Sequence, residues 1–513
     1  MFCQLITQIE QQEKLRAMTT TIAVLDKRGE NTTQIITESL SSSIEKYQIG
    51  FAIATPNMFA IEEQIRALQK LNVKSPLAMG SVLSKLPLEN LYAKLEKNTI
   101  AFKGKLFLPE IVENGDKNLF LRKNQDKGII KPNIQWLRRA DGSFSFIILE
   151  PKRIVSGRDP LGIEPLYFGE NENLVALASN RKALWKIGIE GVKSFPPGHL
   201  GFVDKSGFKF EPFTTLPFSR SKPITMDIAT RKLEKLLERS IRRRLLGLEE
   251  AAIAFSGGLD SSLIAFLAKK SRANINLIHV SLENRQETEE AKKAADELKL
   301  PITVHLFREA DIEKIIPKVI EIMEYADPVG TSIGISTYWT AEKAAKRENR
   351  ILLSGQGADE LFGGYKRYVY QYLSYGEEKT RRALHEDIIR LHKNNIERDV
   401  KICNFHAVEL RLPFASPQIA KFALDLPVEF KIERKPDTPR KLILRKLARD
   451  LGLPATIADK PKKAMQYATG VNNALIKLAK KQNMNRTEYV EKIFHTIMNK
   501  IRSGFFDSNT QSL

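Results

Sequence analysis

Apolar and polar positions change rhythm once along this chain. Over the first third they alternate in short runs rich in β-branched residues, at 20–25, 48–54, 99–106, 143–149 and 174–178. A period of two puts successive side chains on opposite faces of a strand, so these runs predict strands separated by turns. The stretch 211–223, EPFTTLPFSRSKP, is rich in Pro and Ser and reads as a linker. Beyond it the spacing widens to a helical period over 226–245. Short apolar runs then predict strands at 251–255, 276–282, 302–306 and 351–353, with helices from about 260, over about 287–298, and in two stretches after 306. Strands alternating with helices imply a parallel, doubly wound sheet. From about 363 the chain is mostly helical, and its tail from about 472 reads as an amphipathic helix packed on its own domain.

Length and composition narrow the class. At 513 residues the chain is too long for one core, and two domains are expected. With 42% hydrophobic and 28% charged residues it is an ordinary globular protein with enough apolar side chains for substantial cores. The longest apolar runs are too short to span a bilayer, and the first residues lack the basic start and apolar stretch of a signal peptide. Two cysteines, Cys3 and Cys403, exclude a disulfide scaffold or a cysteine zinc site and fit a reducing cytoplasm. The net charge of +20 would suit a polyanion, but the basic residues are scattered among acids with no basic arm. A solvated surface is the expected reading, with neither nucleic acid nor membrane as partner.

The chemistry concentrates in two glycine turns. Phe255-Ser256-Gly257-Gly258-Leu259-Asp260-Ser261-Ser262 joins a strand to a helix. Glycines let a backbone approach phosphate oxygens, and the helix start offers unpaired N–H groups and a positive dipole end. The Gly-Lys-Ser/Thr ending of a Walker loop is absent. The loop resembles instead the pyrophosphate-binding loop of the ATP-pyrophosphatase superfamily, in which ATP is split to AMP and pyrophosphate as a substrate is adenylated. The second turn, Ser354-Gly355-Gln356-Gly357-Ala358-Asp359-Glu360, also follows a strand. In a parallel sheet both turns lie at the carboxyl edge, where ligands bind. Asp260 and Asp359 then converge, a pair suited to magnesium, which takes few protein ligands. Either acid alone would be an ordinary helix cap.

These two turns, in this order, resemble the synthetase domain of glutamine-dependent asparagine synthetases. Glu409-Leu410-Arg411-Leu412-Pro413-Phe414 is similar to the family's E-x-R-x-P-F segment, and Lys441-Leu442-Ile443-Leu444-Arg445 to its K-x-x-L-R segment. Lys460-Pro461-Lys462-Lys463 resembles its late basic segment. Upstream, Gly157-Arg158-Asp159, with Leu161-Gly162 and Pro165-Leu166-Tyr167, resembles a run of the family's glutaminase domain, where it is expected to build fold.

The resemblance implies an α/β architecture: an N-terminal Ntn-hydrolase-like αββα domain over 18–215, after an extension at 1–17, then a parallel-sheet ATP-pyrophosphatase domain of the adenine nucleotide α-hydrolase type over 225–513. It implies aspartate and ammonia as substrates, a β-aspartyl-AMP intermediate, ATP with Mg2+, and a homodimer. ATP and pyrophosphate are expected on Phe255, Ser256, Gly257, Gly258, Asp260, Ser261, Ser262, Ser281, Ser354 and Gly355. The metal is expected on Asp260 and Asp359, and the acid and amine near Gln356, Asp359 and Glu360. Lys462 is expected to touch the reacting phosphate, with Lys463 its nearest competitor.

Besides lacking the family's H-R-G-P-D segment, the sequence departs from the family in three places. The family's Met-Cys-Gly-Ile start exposes a nucleophilic cysteine, whereas the segment here that reads like that start, from Met18-Thr19-Thr20-Thr21, has none. The family's N-G-E, which binds glutamine, stands here as Lys103-Gly104-Lys105. Glutamine hydrolysis is therefore not expected, unless translation from Met18 exposes Thr19 as nucleophile. Third, the family's glutamate between the glycines of the second turn is Gln356, which cannot act as a base. A tRNA-modifying ATP-pyrophosphatase, another carboxylate–amine ligase and a non-catalytic scaffold are the rival readings.

Overall fold

The computed structural model describes residues 17–41, 48–71, 73–84, 91–95, 98–107, 121–124, 129–132, 134–219, 221–461 and 469–509. The chain divides into two compact units, 1–215 with 498–513, and 216–497.

The first unit is built on two antiparallel sheets. One has seven strands in the order Lys193–Ser194, Tyr167–Glu170, Leu174–Ala178, Ala17–Asp26, Leu77–Ser84, Gln48–Ala54 and Phe59–Glu62. The other has six, in the order Gly207–Pro212, His199–Asp204, Ile154–Arg158, Gly142–Leu149, Asn98–Leu106 and Leu91–Leu95. Alternation along each strand sorts the side chains into separate cores. Ala23 and Leu25 join Ala101, Ile147 and Val203 of the other sheet, while Ile22 and Val24 pack outward against Ile36, Leu40 and Leu184 of two helices. Ile100, Phe102, Phe144 and Phe146 pack on the outer face of the six-stranded sheet against Leu137 of the single-turn helix Ile134–Leu137. The layering is therefore helix, sheet, sheet, helix. The stretch expected as linker begins later than its composition suggests. Glu211 and Pro212 still pair with Leu200 and His199, because an edge strand tolerates a terminal proline.

The Arg158-Asp159 pair knots this unit. Arg158, fully buried, donates to the carbonyls of Glu164, Gly162 and Phe195 and to the Ser194 hydroxyl at 2.6–2.9 Å. Asp159 accepts the backbone N–H groups of Phe144, Leu161, Ile163 and Glu164. The motif thus builds fold, as its resemblance suggests.

The second unit holds a five-stranded parallel sheet in the order Ile302–Phe307, Asn274–Leu282, Glu250–Ala254, Ile351–Leu353 and Glu409–Arg411. The last strand, inside the E-x-R-x-P-F segment, is not anticipated from the pattern, since three residues carry no period. Arg411 anchors it, donating to Glu409 Oε1 at 2.6 Å and to the carbonyl of Arg244 in the helix Met226–Leu245. The chain winds outward one way from the central strand Glu250–Ala254, then returns to its other side with Ile351–Leu353. The strand order reverses between these two neighbours, and their carboxyl ends frame a crevice. No described helix is long and apolar enough to cross a membrane.

Candidate functional site

Both glycine turns leave the two strands that flank this reversal. Ile278 receives the Phe255 N–H at 2.9 Å, which holds the first turn to the neighbouring strand. Gly257 has φ +63°, and a Cβ there would stand 2.8 Å from the Ala291 Cα of the helix Gln286–Leu298. Only glycine satisfies both the backbone angle and the close approach. The Ser256 hydroxyl accepts from Gly258 N at 3.3 Å and lies 3.3 Å from Ser261 Oγ. The helix Leu259–Ala268 starts here with no side-chain cap, leaving its first N–H groups toward the crevice end. Ser262 and Ser281, expected as nucleotide contacts, are buried, and their hydroxyls find no partner among the described residues.

Two further groups brace the loop. His279 Nδ1 lies 2.9 Å from the Phe255 carbonyl, and Thr288 Oγ1 lies 3.4 Å from Nε2. Burial pulls the imidazole below its ordinary pKa, so the neutral ring donates to the carbonyl and accepts from the threonine. Lys460 Nζ donates to the Gly257 carbonyl at 3.1 Å and pairs with Glu290 at 3.0 Å. Lys462 and Lys463 lie outside the described residues.

The second turn brings the two acids together. Gly355 packs against the first helix so closely that a Cβ would stand 3.0 Å from Asp260 Cβ. Lys441 Nζ lies 2.5 Å from Asp260 Oδ2 and 2.6 Å from Asp359 Oδ1. Asp260 and Asp359 thus converge as expected, on the ammonium of Lys441, which lies outside the expected site residues. Burial alone would lower the Lys441 pKa, but the two carboxylates outweigh it and hold it above the ordinary value. Lys441 sits at φ +60° immediately before the helix Leu442–Asp450. Arg445, one turn on, binds the carbonyls of Arg440, Ala458 and Lys460 at 2.8–3.0 Å. The K-x-x-L-R segment therefore divides its work: the lysine serves the acids and the arginine the backbone. A cavity of about 280 Å³ opens beside this turn, lined in part by Arg440, Arg445, Lys366, Asp437 and Asp459.

The other two turn residues face partners that sequence gave no hint of. Gln356 Nε2 lies 2.5 Å from Asp399 Oδ2. Glu360 Oε1 accepts from the Tyr365 hydroxyl at 2.6 Å and from Asn395 Nδ2 at 2.7 Å, while Oε2 is buried with no partner among the described residues. Burial first, and the Asp359 charge second, raise the Glu360 pKa above the usual carboxylate range.

Two glycine turns thus meet over a Lys-bridged acid pair at a topological switch point. Family comparison gives this site its relatives. The asparagine synthase family model matches residues 232–376 and 372–499, and a glutamine amidotransferase domain model matches 110–186. A putative glutamine-hydrolyzing asparagine synthetase of Methanocaldococcus jannaschii is 31% identical over 416 residues, 72% of this chain and 76% of that protein. This chain belongs to the asparagine synthase family. A second member, asparagine synthetase 2 of Oryza sativa subsp. japonica, is 30% identical over 60% of this chain and 53% of its own length. Among solved structures, an allosteric regulatory enzyme of purine biosynthesis aligns with 56% of this chain and 80% of its own, at 14% identity and a TM-score of 0.31, too low to carry an argument. Family membership and two-sheet plus parallel-sheet architecture agree with the fold expected from the motifs.

Proposed function

We propose that this chain is an ATP-dependent amide synthetase that converts aspartate to asparagine through β-aspartyl-AMP, with ammonia as nitrogen donor. The observation that carries the reading is the convergence of Asp260 and Asp359 on Lys441 between two glycine turns at the switch point. ATP phosphates would rest on the Ser256–Gly258 backbone and the start of the following helix. A carboxylate oxygen of the acid attacks the α-phosphorus, and pyrophosphate leaves with the bonding pair. The loop N–H groups and the Lys441 ammonium oppose the charge that gathers on it. An amine then forms the new C–N bond, the acyl C–O bond to AMP breaks with its electron pair going to AMP, and the surplus nitrogen proton passes to phosphate or water.

The donors present fit magnesium. Two carboxylates already share one cation, and magnesium takes one or two protein carboxylates with phosphate oxygens and water. Asp260 and Asp359 would hold it, and when bound it neutralises phosphate charge.

Ammonia rather than glutamine is proposed because of what stands at 103. Lys103 Nζ pairs with Glu164 Oε1 at 3.1 Å, and both side chains are largely buried. A position that binds glutamine in the family is here closed into an internal ion pair. The test is pyrophosphate release from Mg-ATP with aspartate plus ammonium, and separately with aspartate plus glutamine. Asparagine formed with ammonium and not with glutamine supports the reading. Equal activity with glutamine overturns the ammonia assignment, and no aspartate-dependent release in either overturns the synthetase.

A further inference from the structure

Gln356 and Asp399 form a contact that the reading above leaves unused. Asp399 lies on the helix Glu397–Phe405 and is 2% exposed. Its Oδ1 accepts from Thr337 Oγ1 at 3.1 Å and Arg398 Nε at 2.8 Å, and its Oδ2 from Arg398 Nη2 at 3.2 Å and Gln356 Nε2 at 2.5 Å. The charged and titratable groups around it are Arg398, Glu397 and Cys403 on its own helix, and Tyr325 and Asp327 ahead of the helix Pro328–Lys346. Both Asp399 oxygens already take N–H donors from the Arg398 guanidinium, so the carboxylate faces its neighbours as an acceptor.

That chemistry fixes the polarity of the Gln356 amide. Its NH2 end must face Asp399, since the flipped amide would set two acceptors against each other. The carbonyl oxygen is then the end turned away from Asp399. An amide oxygen accepts N–H donors, does not donate to an acid's oxygens, and does not take up a proton.

We propose that Asp399 is a positioning residue for the amide-forming step: it turns the Gln356 carbonyl oxygen into the crevice, where that oxygen accepts a hydrogen bond from an amine nucleophile arriving as the free base. The proposal rests on the synthetase reading and deepens it. Aspartate-dependent ATP–pyrophosphate exchange reports adenylation alone, and ammonium-dependent asparagine formation reports both steps.

Three variants of the full chain are compared by pH–rate profiles, with thermal melting to establish folding. Gln356→Glu keeps the Asp399–Arg398 pair but places a second carboxylate within hydrogen-bond reach of Asp399. The two acids share a proton, so the amide-forming rate gains an ionisation that the wild type lacks, and the exchange rate does not. The double variant Gln356→Glu with Asp399→Asn reverses the hydrogen bond, the amide at 399 now donating, and moves that ionisation to lower pH. Asp399→Asn alone releases the amide, and the KM for ammonium rises about tenfold more than the KM for aspartate. A Gln356→Glu profile identical to the wild type overturns the proposal, as does a KM rise confined to aspartate, which would assign the Gln356 oxygen to the acid's own ammonium group. Wild-type protein without aspartate-dependent exchange overturns the synthetase reading and this proposal with it.

Discussion

Lys441 and Asp260 form an ion pair of 2.5 Å across 181 positions of sequence. The same ammonium reaches Asp359, and the lysine is 3% exposed while each acid is 24% exposed. Taking the lysine away leaves two like charges facing each other in a partly buried crevice. For a fully buried pair such a loss costs roughly 3–5 kcal/mol, and the exposure of the acids puts this one at the lower end. Lys441→Met is expected to lower aspartate-dependent exchange by about two orders of magnitude, since a positioned cation opposing transition-state charge is worth that much. Exchange retained within threefold would show that the lysine only braces the acids. Lys441→Arg is not expected to restore activity, because a planar fork cannot take the place of a point charge between two carboxylates.

Gly364 makes the same point through space alone. A Cβ at this position would stand 1.8 Å from Asp359 Oδ1 and 2.5 Å from Lys441 Cε. Gly364→Ala must therefore push Asp359 off its present position, at a strain of about 1–3 kcal/mol. The expected result is a loss of exchange of at least about tenfold with a folded protein. Normal exchange rates at every magnesium concentration would mean that the Asp359 carboxylate need not stand where it does.

The two glycine turns were legible because each is a local event: strand, turn and helix start follow one another within ten residues. Their meeting was legible as well, because a parallel sheet puts every strand-to-helix turn on one edge. The partners were not. Lys441, Asp399, Asn395 and Tyr365 reach the site from elements whose packing no period encodes, and a lysine among 81 Lys and Arg carries no mark of burial. The only available signal for Lys441 was the K-x-x-L-R segment, where the late basic segment drew attention to Lys462 instead. The strand Glu409–Arg411 escaped for a related reason, being three residues long and fixed by pairing with Ile351–Leu353 rather than by alternation.

Arg158 offers a stability test away from the candidate site. Its guanidinium satisfies three carbonyls and a hydroxyl at 0% exposure. Arg158→Lys keeps the charge but loses the fork, leaving buried acceptors unpaired at about 1–3 kcal/mol each. The expected outcome is a fall of at least about 3 kcal/mol in unfolding free energy by urea titration. A smaller change, under about 1 kcal/mol, would mean that water replaces the guanidinium and that the motif is not the knot described.

His279 gives stability a pH dependence whose sign follows from its burial. Burial holds its folded pKa below the ordinary 6.5, with Lys460 acting in the same sense and the hydrogen bond to the Phe255 carbonyl opposing. As pH falls, the unfolded chain takes up the proton first, so the unfolded state binds more protons and stability drops. The contribution is complete above the unfolded value of 6.5 and is lost as pH falls from there toward the folded pKa. His305 is shifted in the same direction, chiefly by burial, so the wild-type curve alone does not isolate one ring. His279→Asn supplies an amide donor for the Phe255 carbonyl and does not titrate. Urea unfolding of both proteins between about pH 7.5 and pH 5 is expected to show the wild type losing more stability on acidification than the variant. Parallel curves for the two proteins would mean that burial does not hold the folded ring below its unfolded value, and that other groups set the pH dependence.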